Sequence, residues 1–240
     1  MTKMTGFFIT GTDTEVGKTL ISGALILKLR KQGIQAIGFK PVVAGTYQST
    51  SGSILNEDLE TLRIASQLAP GQLSLSPYVL DMPVAPHLAA VNKGITLDLK
   101  TIMQALDEIQ KHGDCLVIEG AGGFLVPLNH DENLGDFAQQ INLPIILVIG
   151  MKLGCINHAL LTQEAIKTRG LKIAGWIANS LTNDEMPLLK ENIAALETKI
   201  NAPFLGLIPC LPKTLQKSHN SPYSIEALDF AAQHIQMTTN

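Results

Sequence analysis

The sequence predicts an α/β fold in which helices cover both faces of a doubly wound, mostly parallel sheet. Short apolar runs recur along the chain, and segments whose apolar residues have helical spacing lie between them. The runs are continuous rather than alternating, which is typical of strands buried on both faces of a parallel sheet. A loop ending in Gly-Lys-Thr joins the first run to the first helix, at the edge where sheets of this kind bind ligands.

The apolar runs are the predicted strands, over residues 6–10, 36–39, 115–119, 145–149, 173–179 and 204–208. A helix is predicted over 18–31, because its apolar residues share one face, basic residues fill its last turn, and Gly33 follows as a cap. Further helices are predicted over 57–68, 97–112, 157–169, 184–199 and 223–236.

Two polar segments interrupt this alternation. Residues 44–56, rich in Ser, Thr and Gly, are predicted to form a mobile loop, and residues 214–224 are similarly polar. Neither segment is long enough to be a domain linker. A chain of 240 residues, 45% of them hydrophobic, can bury one sizeable core, so we expect a single domain over 1–240.

The overall composition limits the partners and the compartment. A net charge of -3 and a pI near 6.1 provide no basic field, so no nucleic-acid partner is expected. The three cysteines, Cys115, Cys155 and Cys210, lie far apart and are predicted to be reduced thiols. The longest apolar stretch, 143–151, is about half a membrane span, so we expect a cytoplasmic protein with no membrane partner.

The stretch "GTDTEVGKT" at 11–19 is similar to a phosphate-binding loop. Its first glycine, Gly11, lies one place earlier than in the strict pattern G-x-x-x-x-G-K-[ST]. Backbone N–H groups and the helix macrodipole would attract phosphate, Lys18 can reach the β and γ phosphates, and Thr19 can offer its hydroxyl to Mg²⁺. The alternative is an ordinary strand-to-helix turn. The buried strand before the loop and the helix after it favour a nucleotide site and a fold of the P-loop nucleotide hydrolase type.

A metal at this loop would need carboxylates, and Glu119 is the first candidate. It ends the strand 115–119, the position from which a Walker B acid faces the metal, although a solvated acid at a strand end is the alternative. Gly120, Gly122 and Gly123 follow it and allow a backbone to approach a ligand closely.

Two more charged residues are predicted at the same edge of the sheet. Asp58 begins a helix, and it is either a second metal ligand or only a first-turn acid that complements the macrodipole. Lys40, held extended by Pro41, is either a surface lysine or a cation placed to stabilise transferred charge.

The phosphate-binding loop also contains two acids, Asp13 and Glu15. We hypothesise that they are tolerated because Mg²⁺, Lys18 and Lys40 supply local positive charge. One acid could then hold metal-bound water while the other faces a ligand donor, and the sequence does not distinguish these roles.

Five stretches together resemble the dethiobiotin synthetases: "GTDTEVGKT", "GFKPVVAG", "VIEGAGG", "VIGMKLGCINHALLT" and "AGWIAN". The resemblance runs over nearly the whole chain, and it rests on the joint order of the motifs. It implies an enzyme in which carbon dioxide carbamylates diaminopelargonic acid. ATP then phosphorylates the carbamate, and the second amine displaces phosphate to close a ring.

The resemblance also implies roles for individual residues. Lys18 and Lys40 would be catalytic cations, and Mg²⁺ would be held by Thr19, Asp58 and Glu119. The implied ATP contacts are Glu15, Val16, Gly17, Lys18, Thr19, Leu20, Asp58, Glu119, Gly120, Ala121, Gly122, Asn179, Pro209, Cys210 and Leu211. The implied substrate contacts are Thr14, Lys40, Ala44, Gly122, Gly154, Cys155 and Asn157. The last three lie in a segment that reaches across a two-fold dimer in this family, so a homodimer with its site near the interface is implied.

The chain departs from the family pattern at Ala44, where the family has a serine near the substrate. A side-chain hydrogen bond is therefore missing there, taken by backbone or supplied by Thr46. The family also has an acid in the loop after the last motif, and Gln216 is the nearest candidate for that position.

Three alternatives remain at this stage. A nucleotide switch of the partitioning or division-site type has a similar loop, but it carries a second lysine where this chain has Asp13. Its membrane-binding members also end in a basic helix, whereas residues 224–240 contain no Lys or Arg. A related amide-forming enzyme on cobyrinic acids would need a second domain. A non-catalytic ATP-binding relative is the third alternative.

Overall fold

The computed structural model describes residues 4–184 and 186–237, and it confirms the predicted doubly wound α/β fold. Its strands are β1 (Gly6–Gly11), β2 (Ala36–Phe39), β3 (Val42–Ala44), β4 (Tyr47–Gln48), β5 (Ile54–Leu55), β6 (Tyr78–Leu80), β7 (Cys115–Glu119), β8 (Ile145–Met151), β9 (Ile173–Ser180) and β10 (Phe204–Ile208). The six predicted strands form one sheet in the order β10-β9-β8-β1-β7-β2, and every neighbouring pair in it is parallel.

The helices lie between these strands. They are α1 (Lys18–Lys31), α2 (Glu57–Ala65), α3 (Pro86–Asn92), α4 (Leu99–Ile109), α5 (Leu134–Ile141), α6 (Cys155–Thr168), α7 (Leu189–Lys199) and α8 (Ile225–Gln233). Helix α1 has the predicted bounds, and Gly33 follows it with a φ of 85° and an N–H bond to the Arg30 carbonyl. Gly23 allows α8 to approach α1, because a Cβ there would lie 2.7 Å from Leu228 Cδ2.

The strand register aligns the residues predicted at the sheet edge. Strand β1 lies at the centre of the sheet, between β7 and β8, and Ile9 of β1 pairs with Glu119 of β7. Phe39 of β2 pairs with Ile118, so Lys40 follows level with Glu119. After β1 the chain moves to the β2 side, and after β7 it crosses to β8, so the strand order reverses beside the loop 11–19. Ligands of open α/β sheets bind at such a reversal.

Several helix ends differ from the predictions for local backbone reasons. Helix α6 begins at Cys155, two residues before its predicted start, because Gly154 takes a left-handed φ of 93°. Helix α2 ends at Ala65 rather than 68, since Gln67 has a φ of 56° that an α-helix cannot continue. Helix α7 begins only after Leu188, which also has a φ of 56°, and its predicted range includes residue 185, which lies outside the described residues.

The remaining predicted elements shift by a few residues. Helix α4 starts after its Asp98 N-cap and ends in a short 3₁₀ turn at Gln110–His112, so the predicted range 97–112 contains both. Helix α8 starts after its Ser224 N-cap and ends at Gln233. Strands β1, β8 and β9 extend one or two residues beyond their predicted ends.

The short elements were not predicted. The segment 44–56 contains an antiparallel hairpin of β4 and β5, and β3 pairs in parallel with β6. Strands of two or three residues are too short for a periodicity signal, and Gly135 weakens the helical pattern of α5. The Pro86 N1 position of α3 is a start signal that the sequence interpretation did not use.

The apolar side chains form two buried clusters. The larger one surrounds β1, β2, β7 and α1, and the smaller one joins β8 and β9 to α6 and α7 around Trp176, whose side chain is fully buried. This arrangement supports the sheet on both faces and leaves its carboxyl edge open. Within residues 4–184 and 186–237, no helix has the length and apolar character needed to cross a bilayer.

Candidate active site

The loop 11–19 is held in place by strand β9, which lies two strands from β1 in the sheet. Gly17 precedes α1 with a φ of 94°, and a Cβ at this position would lie 2.1 Å from Asn179 Nδ2. Asn179, which is buried near the end of β9, donates its side-chain amide to the Val16 carbonyl at 2.9 Å. Glycine is therefore needed at position 17 for its φ and for the close approach of Asn179.

The acidic residue Asp13 is compensated by a lysine that the sequence interpretation did not consider. Lys152, which follows β8, places its Nζ 3.0 Å from Asp13 Oδ2, and the Thr14 N–H donates to Asp13 Oδ1 at 2.8 Å. Lys18 Nζ instead donates to the main-chain carbonyl of Asp13 at 2.8 Å. The cation that contacts the Asp13 carboxylate is therefore Lys152, which the hypothesis made from the sequence did not include.

The centre of the site is a cluster of one lysine, two acids and a threonine, in which Lys40 and Glu119 are buried and the other two side chains are partly exposed. Lys40 Nζ lies 2.6 Å from both Asp58 Oδ2 and Glu119 Oε1. The Thr19 hydroxyl lies 2.8 Å from Asp58 Oδ1 and 2.7 Å from Glu119 Oε1, and its single proton can be donated to one of them at a time. The structure thus brings together the residues predicted for the metal and one predicted catalytic lysine.

Three local features position this cluster. Asn56 caps α2, because its side chain accepts the N–H groups of Asp58 and Leu59, and this fixes Asp58 in the first turn. Glu119 is the last residue of β7 and is fully buried. The main-chain N–H of Lys40 donates to the Leu75 carbonyl at 2.9 Å, so the chain after β2 stays extended toward the site.

Burial and charge shift the ionisation of these groups. Burial acts to lower the pKa of Lys40, but the carboxylates of Asp58 and Glu119 outweigh it and raise that pKa. Burial raises the pKa of Glu119 despite the opposing effect of Lys40, whereas Lys40 and Thr19 hold the pKa of Asp58 below its usual value against the effect of burial. Burial, and then the charge of Lys40, lower the pKa of Lys18 to about 8.

The donor set fits Mg²⁺. Thr19, Asp58 and Glu119 offer only oxygen atoms, which a hard cation prefers. Glu119 Oε2 is buried and has no hydrogen-bond partner among the described residues, so it is an available ligand atom. The same part of the chain contains no cluster of three or more His, Cys, Asp or Glu side chains able to hold a metal. An ion here would therefore also need the hydroxyl, water and phosphate oxygens.

Two adjoining clefts open at this edge of the sheet. The first cleft, of about 520 Å³, contains predicted ATP contacts from the loop, from β9 and from the turn after β10: Glu15, Gly17, Leu20, Asn179, Pro209, Cys210 and Leu211. The second cleft, of about 840 Å³, contains predicted phosphate, metal and substrate contacts: Thr14, Glu15, Gly17, Lys18, Thr19, Lys40, Ala44, Asp58, Glu119, Ala121 and Gly122.

Five predicted contact residues line neither cleft: Val16, Gly120, Gly154, Cys155 and Asn157. Val16 is fully buried beneath the loop, and the Gly120 N–H is bonded to the Ile9 carbonyl. The other three lie at the start of α6. The Cys155 N–H donates to the Lys152 carbonyl at 3.0 Å, so this N–H group already has a partner.

The structure shows where the residues that depart from the family pattern, Ala44 and Gln216, lie relative to the clefts. Ala44 lines the second cleft, but Thr46 does not, and its hydroxyl lies 3.5 Å from Asp81 Oδ1 instead. Gln216 lines the first cleft and donates its amide to the Leu211 carbonyl at 2.9 Å. Thr46 is therefore not placed to replace the missing hydroxyl at position 44.

Several lining residues were missed by the sequence interpretation. Lys217 and Tyr223, from the polar segment 214–224, line both clefts, and the turn 83–86 before α3 lines the second. The aromatic Tyr223 among polar residues was a usable signal, because a lone aromatic in a polar segment often has a packing partner. In the turn, the usable signal was Pro86, because proline is favoured at the first position of a helix.

Comparison with solved structures shows the fold. A ParA family ATPase from Chlorobium tepidum superposes with a TM-score of 0.55 at 14% identity, covering 97% of this chain and 90% of that one. The cell division ATPase MinD from Pyrococcus furiosus superposes with a TM-score of 0.53 at 15% identity, covering 96% and 98% of the two chains. At these identities the likeness extends to the P-loop α/β architecture alone.

Comparison of sequences is more specific. A family model described as an AAA domain matches residues 5–218. The ATP-dependent dethiobiotin synthetase BioD of Aromatoleum aromaticum is 47% identical, covering 87% of this chain and 92% of that protein. The protein of the same name from Cellvibrio japonicus is 41% identical over 97% of this chain and 96% of its own. Since this similarity extends across nearly the full length of both relatives, the chain belongs to the dethiobiotin synthetase family.

Proposed function

We propose that this chain is an ATP- and Mg²⁺-dependent ligase that converts diaminopelargonic acid and carbon dioxide to dethiobiotin, releasing ADP and phosphate. The observation that supports this most is the cluster of Lys40, Asp58, Glu119 and Thr19 beside a phosphate-binding loop. It occurs in a chain that is 47% identical to a relative named for this activity. We further propose that the chain acts as one P-loop domain, in the cytoplasm and as a homodimer.

The nucleotide would extend from the first cleft into the second. Its adenine would contact Asn179 and the turn Pro209–Leu211, and its phosphates would follow the loop 14–19 to the start of α1. The positive end of α1 and the loop N–H groups favour anions there. One N–H of the Asn179 side-chain amide donates to the Val16 carbonyl, and the Oδ1 atom of the same amide could accept a hydrogen bond from the base.

The reaction would proceed in three steps. One amine attacks carbon dioxide to form a C–N bond, giving a carbamate and a released proton. A carbamate oxygen then attacks the γ phosphorus, the bond to the β-phosphate oxygen breaks, and ADP leaves. The second amine finally attacks the carbamate carbon, so that phosphate leaves with its bridging oxygen, the ureido ring closes and a second proton is released.

Lys18 and Lys40 would stabilise the charge that moves in these steps. Lys18 is buried and its Nζ donates to the Asp13 carbonyl, so phosphate oxygens can replace that partner as the nucleotide binds. Lys40 contacts the carboxylates of Asp58 and Glu119, and its positive charge offsets part of their negative charge before the substrate binds. Both act by position and charge, which are the main requirements of phosphoryl transfer.

Mg²⁺, when bound, would neutralise charge on the phosphate oxygens. Thr19, Asp58 and Glu119 would hold it, with the unpartnered Oε2 of Glu119 as one ligand atom. Lys40 would hold the Asp58 and Glu119 carboxylates in fixed orientations, because its Nζ contacts one oxygen of each. The Asn56 cap would keep Asp58 facing the loop during the reaction.

The substrate would lie in the second cleft, with its amines toward Lys40 and beside Thr14, Ala44 and Gly122. Its carboxylate tail would be bound at the start of α6 of a second copy of this chain, by the exposed Gly154 and Asn157 rather than by Cys155, whose side chain is buried and whose N–H is bonded to the Lys152 carbonyl. The position of Gly154 and Asn157 outside both clefts supports a role across a dimer. Asn157 is exposed at the positive end of α6, which suits a carboxylate.

The test is a product assay with diaminopelargonic acid, bicarbonate and MgATP, read by mass spectrometry together with phosphate release. We expect dethiobiotin from the native chain and from Lys100→Gln, an exposed control on α4, and none from Lys18→Gln. ATP binding without product, under conditions in which the A. aromaticum relative is active, would contradict the proposal and indicate a non-catalytic relative.

A further inference from the structure

Lys217 lies where the two clefts meet. It lines both of them, together with Tyr223 and the loop residues Glu15 and Gly17. If the base occupies the first cleft and the β and γ phosphates the second, the ribose and the α-phosphate must pass these four residues. Of the described residues that line both clefts, Lys217 is the one cation.

The present contacts of Lys217 hold its ammonium group at this junction. Its Nζ lies 2.6 Å from Glu57 Oε1 and 5.4 Å from the centre of the Tyr223 ring, and its side chain is 25% exposed. The Tyr223 N–H donates to Thr61 Oγ1 at 3.1 Å, which ties the segment 214–224 to α2. The cation is therefore anchored on two sides and still accessible from the clefts.

We propose that Lys217 binds the α-phosphate of the nucleotide, replacing part of its contact with Glu57 by a phosphate oxygen. This inference rests on the nucleotide-binding part of the proposed function. Charge-assisted contacts between lysine and phosphate are among the stronger polar interactions at such sites. Lys18 and Lys40 are assigned to the γ-phosphate and the carboxylates, so Lys217 provides a separate cation for the α position.

Glu57 makes this cation necessary. Its side chain lines the second cleft next to Asp58, so an incoming nucleotide would meet an additional negative charge there. With Lys217 between them, the Glu57 carboxylate and the α-phosphate would share one ammonium group instead of repelling each other. Removing Lys217 would therefore weaken binding of every phosphorylated ligand but not of the nucleoside.

The experiment compares AMP with adenosine, because the α-phosphate is the one difference between them. Displacement of a fluorescent ATP analogue would give the affinity of each ligand for the native chain and for Lys217→Met, which keeps an apolar stem. We expect AMP affinity to fall about five- to tenfold and adenosine affinity to change less than about twofold. Lys213→Met, which removes an exposed lysine directly before the segment 214–224, is the matched control and should change neither affinity.

A second variant distinguishes two roles of Lys217. The residue could bind phosphate, or it could only tie the segment 214–224 to α2 through its ion pair with Glu57. Glu57→Gln breaks the ion pair but leaves the Lys217 charge, so we expect AMP to bind at least as tightly as to the native chain. If Lys217 acts only as a tether, Glu57→Gln and Lys217→Met will weaken AMP and adenosine alike, which would overturn the inference. Native AMP affinity in Lys217→Met would also overturn it.

The two proposals fail in different ways. If the native chain binds no ATP or AMP, the proposed function fails and the α-phosphate role fails with it. If the native chain binds ATP and forms dethiobiotin but Lys217→Met discriminates AMP from adenosine as the native chain does, only the role of Lys217 is wrong.

Discussion

Lys40 Nζ lies 2.6 Å from Glu119 Oε1 at the carboxyl ends of β2 and β7, and both side chains are almost fully buried. The same Nζ contacts Asp58 Oδ2, so one cation compensates two carboxylates. Breaking a buried ion pair leaves an uncompensated charge in a region of low dielectric. The residues proposed for chemistry are therefore also expected to contribute to stability.

The first prediction follows from this pair. Lys40→Met should lower the free energy of unfolding by about 3 kcal/mol, because it leaves Glu119 and Asp58 without their cation. It should also lower turnover at least about 100-fold, through loss of charge stabilisation. Urea unfolding without nucleotide and steady-state phosphate release measure the two effects.

The matched control is the double variant Lys40→Met with Glu119→Gln. It removes the unpaired acid along with the cation, so it should be more stable than Lys40→Met alone while staying inactive. Equal stability of Lys40→Met and the native chain would show that the pair does not stabilise the fold.

The second prediction concerns the Thr19 hydroxyl, which contacts both Asp58 and Glu119. Thr19→Val keeps the shape of the side chain and removes the oxygen. The gain in ATP affinity on adding Mg²⁺ should therefore fall about tenfold or more, whereas ATP binding in EDTA should change little. Titration calorimetry measures the ratio of the ATP affinity with Mg²⁺ to the ATP affinity in EDTA. Thr168→Val, an exposed position on α6, should keep the native ratio, and a native ratio in Thr19→Val would exclude Thr19 as a ligand.

The third prediction concerns pH and the ion pair of Asp13 with Lys152. The hydrogen bond from Lys152, and then that from the Thr14 N–H, lower the pKa of Asp13. A lowered carboxyl pKa contributes stability above the unfolded value of about 3.9, and this stability is lost as pH falls through the folded value. Asp13→Asn should therefore lower the melting temperature slightly above pH 5, and the difference should shrink below pH 4.

The effect should be small, because both side chains are nearly half exposed. Lys152→Met should lower the melting temperature by about as much as Asp13→Asn does, since each variant removes the same ion pair. Melting curves from pH 3 to pH 8 provide the measurement. If the difference in melting temperature between the native chain and the variants is largest below pH 4, it would contradict a lowered pKa of Asp13 in the folded state.

The fourth prediction concerns Asn179. Asn179→Asp replaces the donor to the Val16 carbonyl by a buried acceptor, so the free energy of unfolding should fall by about 1–3 kcal/mol and ATP should bind more weakly. Asn201→Asp, an exposed change of the same kind, should have little effect on either quantity. Unfolding curves and ATP titration check this. ATP affinity equal to that of the native chain would indicate that Asn179 does not shape the loop.

The sequence predicted the main sheet because its signals were local. Continuous apolar runs identified all six of its strands, and Gly-Lys-Thr after the first of them located the loop. Parallel strands end at a common edge, so Lys40 and Glu119 could be expected near each other before any distance was known. The basic last turn of α1 and the Gly33 that follows it located the end of this helix correctly, but the prediction of a single apolar face was wrong, because residues 20–27 are all buried.

The rest depended on contacts between distant residues. Lys152 follows Asp13 by 139 positions, so nothing in the loop sequence indicated that it would supply the compensating charge. Lys217 and Tyr223 reach the clefts only because the segment 214–224 is tied to α2, through an ion pair and a hydrogen bond that no periodicity encodes. The ends of α2 and α7 depended on left-handed residues, Gln67 and Leu188, that are not glycine.

The central claim is that a carbamate formed from the substrate attacks the γ-phosphate in this site. Incubation with ¹⁸O-labelled carbon dioxide, with rapid quenching before exchange with water, tests it most directly. We predict that dethiobiotin keeps one labelled oxygen in its ureido carbonyl and that the released phosphate carries the other. Unlabelled phosphate, whether or not dethiobiotin forms, would contradict the account, because it would mean that water or another group attacks the γ phosphorus.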